Sequence, residues 1–105
     1  MNVIIKELTF LYKGVLVMIF YPSKKELMDA IIDVLHTANT TMSTSSIDQA
    51  VATKLSLSPE QLSEESANSS GTEYSYRMRW ARTELKQKKI ITNPKRGEWV
   101  LLKEA

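Results

Sequence analysis

The sequence predicts a mainly helical domain closed by a small β-hairpin. This is the element order of a winged helix-turn-helix, with three long helices, one short helix and a C-terminal wing. Three observations predict it. Apolar residues recur at helical spacing in three segments, two of them opened by capping serines. Two β-prone runs, "KIIT" and "EWVLL", follow across the turn-forming "NPKRG". Residues 77–100 hold eight of the fourteen Lys and Arg side chains and only two of the twelve acids, so a bland overall charge of +2 conceals a strongly basic segment.

A chain of 105 residues is one small domain, of a size that buries about 60–70% of its unfolded surface. It has no cysteine, which excludes disulfides, zinc–thiolate clusters and thiol catalysis and suits a reducing cytoplasm. A single histidine removes most hydrolytic triads and metal sites, which need several convergent ligands. No cofactor, metal or catalytic residue is therefore expected. His36 has no sequence partner that would make it a ligand and receives no role.

Residues 1–20 form an apolar N-terminal segment, set apart from a winged-helix domain over residues 21–105. Lys6, Glu7 and Lys13 interrupt the apolar run, so it is not expected to span a membrane. Two readings stay open. The segment is an extra strand, or Met18 is the native start, since Lys13-Gly14-Val15 can be encoded by a ribosome-binding sequence at suitable spacing before it.

Ser23 with Glu26 makes a capping box, and Leu27, Ala30, Ile31, Val34 and Leu35 then mark one buried helical face. "HTANTTMSTSS" ends that helix as a loop with a short extended piece around Met42. Ser46 with Gln49 opens the second helix, whose inward positions are Ile47, Ala50, Val51 and Leu55. Ser58-Pro59-Glu60-Gln61 opens a short helix, and "SEESANSSGTE" reads as a polar, acidic connector. The third long helix runs from about Glu73 to Lys89 and leads into the hairpin.

At about 100° per residue with Ala81 at zero, Tyr74, Met78, Ala81 and Leu85 fall within about 60° of one another as a core stripe. Lys89, Arg82, Lys86 and Arg79 share the flank from about 80° to about 160°. Tyr76, Trp80, Thr83 and Gln87 take the opposite flank, and both Trp80 and Trp99 are expected to pack into the structure. Ordinary solvated helix faces mix charge signs to gain i,i+4 pairs. A one-signed row suits a polyanion, and duplex DNA offers regular phosphates and a major groove that admits a helix. Lys95 and Arg96 continue the theme at the hairpin apex. The candidate DNA-binding residues are Arg79, Arg82, Lys86, Lys89, Lys95 and Arg96.

"YPSKKELMDAIIDVL", the acidic spacer and "YRMRWARTELKQKKIITNPKRGEWVL" together resemble the N-terminal domain of Mrr-type restriction proteins. The run from Trp80 to Trp99 carries most of the likeness, which covers roughly residues 20–103. The resemblance implies a winged helix that contacts duplex DNA through the third helix and the "NPKRG" wing. It further implies a companion PD-(D/E)xK nuclease domain or subunit that restricts modified, often methylated, DNA. Glu84-Leu85-Lys86 matches the E-x-K letters of such a nuclease but lies mid-helix without an upstream Pro-Asp partner. The expectation is thus a non-catalytic recognition module. The alternative is a protein-interaction winged helix whose basic face docks an acidic partner, including the "SEES" region of a second copy in a homodimer.

Overall fold

Ser23 starts the ordered helical part of the chain. Its Oγ accepts from the Glu26 N–H at 3.1 Å while its own N–H donates to Glu26 Oε1 at 2.8 Å, so two end-of-helix donors are satisfied reciprocally. In the computed structural model, which describes residues 8–12, 15–18 and 20–102, this box opens α1, Lys24–Ala38. The helix runs past the expected loop start at His36, because Asn39 closes it in the left-handed region (φ 55°) and its N–H reaches the Leu35 carbonyl. Asparagine tolerates that conformation better than most residues.

The extended piece at Met42 is a strand, β3 (Met42–Ser43), and it leads directly into α2, Thr44–Lys54. Ser43 is the cap and accepts from the Ser46 N–H at 3.1 Å. The helix therefore opens three residues before the position predicted from Ser46 and Gln49. Both serines have capping chemistry, and the pairing of β3 decides which one sits at the boundary. Ser58 and Gln61 form the predicted box for the short α3, Pro59–Ser63. The acidic connector folds back on itself through an antiparallel bridge between Glu65 and Thr72. Thr72 then caps α4, Glu73–Gln87, by accepting from the Ser75 N–H at 3.1 Å.

α4 ends sooner than predicted. Lys88 is its C-cap and Lys89 takes a left-handed conformation (φ 60°), so Lys89 stands outside the helix on which its flank position was drawn. β4 (Ile91–Thr92) and β5 (Glu98–Leu101) pair antiparallel, with Ile91 opposite Leu101 and Thr92 opposite Val100. β3 joins the other edge of β5, with Met42 opposite Trp99. The expected hairpin is thus the larger part of a three-stranded sheet of order β3-β5-β4.

Leu27, Ala30, Ile31 and Leu35 of α1, Ile47 and Val51 of α2, the predicted Tyr74, Met78, Ala81, Leu85 stripe of α4, and Ile91 form one core. Each large side chain buried there contributes roughly 1.5–3 kcal/mol, which seats α4 on α1 and turns its remaining faces outward. The result is a winged-helix architecture, mainly helical with a small antiparallel sheet. At the N-terminal end, β1 (Leu8–Tyr12) and β2 (Val15–Met18) pair antiparallel as a separate hairpin. Lys6, Glu7 and Lys13 lie outside the described residues. Among the described residues no helix is long and apolar enough to cross a membrane.

Candidate nucleic-acid interface

The face of α4 opposite the core stripe carries Ser75, Arg79 and Lys86, all exposed. Helical spacing aligns them, and the buried stripe fixes which way they point. Thr83, at the near edge of the opposite flank, donates its hydroxyl to the Arg79 carbonyl at 2.9 Å. Lys86 Nζ donates to Asn93 Oδ1 at 3.0 Å, and Asn93 Nδ2 donates to the Glu98 carbonyl at 2.9 Å. One asparagine side chain thereby ties the basic face of the helix to the base of the wing. Lys95 and Arg96 are exposed at the wing tip. The tip turns at Gly97, whose φ of 78° suits a residue without a Cβ.

Arg82 is not part of this open face. It is only 7% exposed, and its Nη1 lies 2.5 Å from Asp48 Oδ1 of α2. Its guanidinium also sits over the Trp99 ring, 5.7 Å from the centroid. At about 100° from Ala81 it stands on the boundary between core and solvent, and α2 covers that boundary. The surrounding groups complete a bonded set. Tyr74 donates its hydroxyl to the Asp48 carbonyl at 2.6 Å, Trp99 Nε1 donates to Thr44 Oγ1 at 2.9 Å, and the Thr44 N–H reaches the Gly97 carbonyl at 3.0 Å. α2, α4 and the wing are thus cross-linked through one buried ion pair and its neighbours.

Burial pushes the Asp48 carboxyl up to about 6, against the opposing pull of the Arg82 guanidinium. Burial likewise draws Arg82 down from its ordinary value, with Asp48 resisting. The Tyr74 hydroxyl is raised by burial and then by the Asp48 charge. These directions follow from placing charged forms where water is scarce.

The eight basic residues of 77–100 divide into two groups. Arg77 pairs with Glu73 at 2.6 Å and lies over the Tyr21 ring, Arg82 pairs with Asp48, and Lys88 pairs with Glu84 at 3.2 Å. Arg79, Lys86, Lys89, Lys95 and Arg96 are exposed and form no ion pair among the described residues. Glu84 also receives Lys24 at 2.6 Å. Hydrogen bonds from Lys24 and Lys88 hold its carboxyl below the ordinary value.

Trp80 departs from expectation in the other direction. It is 50% exposed, where the sequence predicts packing. Trp99 is partly buried against the core, as predicted. Sequence reasoning missed Asp48, Thr44 and Asn93. From the sequence Asn93 reads only as a turn residue, although it opens the wing. Asp48 gives no local signal, because its partner lies 34 positions away.

A family model described as the Mrr N-terminal domain matches residues 25–104. Neither the curated proteins nor the solved structures contain a match to the chain.

Proposed function

The chain belongs to the Mrr N-terminal domain family, and from that premise we propose that it is the DNA-binding recognition module of a restriction-type system. It binds duplex DNA, including modified duplexes, in the cytoplasm and works with a nuclease domain or subunit. It has no catalytic activity of its own.

The observation that carries the reading is a set of five exposed cations: Arg79 and Lys86 on one side of α4, Lys89 just past its end, and Lys95 and Arg96 at the wing tip. Lys86 and Asn93 join the two elements. Phosphates that replace the counterions of such a set supply affinity without sequence preference. Arg79 projects from the middle of α4, where a guanidinium can bond two acceptors on a guanine edge. Arg82 leaves the list of contacting residues and becomes a positioning residue, since it holds α4 and the wing at a fixed angle through Asp48 and Trp99. The non-catalytic reading draws on Glu84, whose carboxylate is engaged by two lysines on the helix surface.

The test replaces Arg79, Lys86 and Arg96 together by Ala and titrates matched duplexes, with and without methylated cytosine. A loss of about 100-fold or more in affinity with an unchanged melting transition is expected. Undiminished binding by a folded variant would put the interface elsewhere.

A further inference from the structure

Leaving half of a tryptophan in water forgoes much of the stabilisation that burial provides, yet Trp80 is 50% exposed in the middle of α4. Tyr76 stands one turn earlier, edge-on to it, with 6.4 Å between ring centroids and 76° between planes. The two rings make an L-shaped wall. Pro22 and Leu27 line the space beside it, giving a cavity of about 140 Å³. An apolar cavity of about 150 Å³ holds one benzene ring, so this niche has room for a single six-membered ring.

The charges at its rim are already balanced. Lys24 is held by Glu84 and Arg77 by Glu73, each at 2.6 Å. A neutral planar group therefore suits the niche better than an anion. The anionic part of a ligand has a separate partner in Arg79, adjacent in sequence to Trp80 and exposed on the neighbouring flank about 100° around α4.

We propose that the niche takes one unpaired pyrimidine base of DNA, stacked on Trp80, while the exposed cations hold the flanking phosphates. This rests on the DNA-binding reading and extends it from backbone contact to capture of a displaced base. Stacking on an aromatic side chain is tolerant of sequence and strong enough to register in affinity. A pyrimidine ring matches this volume more closely than a bicyclic purine does.

The test titrates four labelled probes at one salt concentration: a matched duplex, the same duplex with one bulged thymidine, the same with one bulged adenosine, and a single-stranded oligothymidylate. The bulged-thymidine duplex should bind about tenfold tighter than the matched one, with little gain for adenosine. Trp80→Ala should abolish the gain and leave matched-duplex affinity unchanged, with circular dichroism showing that the variant is folded at the assay temperature. Trp80-dependent binding of the single strand without a gain for the bulge would support the niche and identify strand ends as the source of the base. Equal affinity for matched and bulged duplexes, with no Trp80 dependence on the single strand, would overturn the inference while DNA binding stands. A gain that survives Trp80→Ala would overturn it too. Absence of binding to every probe would overturn the DNA-binding reading itself.

Discussion

Arg82 and Asp48 meet 2.5 Å apart in the angle between α2 and α4, beneath the Trp99 ring of the wing. A buried ion pair is not in itself a strong stabiliser, because desolvation offsets much of the attraction, but breaking it leaves an uncompensated charge. The pair therefore acts mainly on geometry, fixing α4 relative to the strand beside it.

Arg82→Ala should destabilise the fold by about 3 kcal/mol, in the range for a buried pair that loses one member. Arg79→Ala, three residues away on an open face, should change stability by no more than about 0.5 kcal/mol. Urea denaturation of the two variants side by side checks the contrast. Equal effects would mean that Arg82 is not held as described.

Asp48 makes stability depend on pH in a direction opposite to most carboxylates. An unfolded Asp titrates near about 3.9, whereas burial raises this one to about 6. Between those values the folded chain binds the extra proton, so the contribution of Asp48 to stability falls as pH rises through the window. Asp48→Asn removes the titration. The stability of the wild type minus that of the variant should decrease by on the order of 2 kcal/mol from pH 4 to pH 7. A difference independent of pH would contradict the assignment.

At the wing tip, Gly97 adopts φ 78°, and a Cβ there would meet nothing within 4 Å. The penalty of Gly97→Ala is therefore conformational alone, roughly 1 kcal/mol. It should appear as a lowered denaturation midpoint with an unchanged denaturant slope. A neutral or stabilising effect would mean that the turn readily takes another form.

How much of this was legible beforehand depends on whether a feature is local. The core stripe of α4 and the caps at Ser23 and Ser58 depend on spacing within a few residues, and each stands where the sequence places it. Arg82 and Arg79 differ by only about 60° around the helix. Which of them is covered depends on the path of α2, and no local pattern encodes that. The sequence reading extends the helix to about Lys89, yet the chain turns there through a left-handed residue that is not glycine. Trp80 was expected inside on the strength of its apolar area. Among the described residues, the flank where it stands faces the start of α1 across the niche, and half of it is open. The basic row was visible as composition. Its division into paired and exposed cations required the fold.

The most direct test of the central claim is the affinity of the chain for duplex DNA across a series of salt concentrations. Five exposed cations on α4, just past its end and on the wing, each neutralising one phosphate, predict that log affinity falls against log salt with a slope of about −4.5. Removing Lys95 or Lys86 singly should flatten that slope by about one unit. A slope near zero, or no binding at low salt, would contradict the account and direct the basic face toward an acidic protein instead.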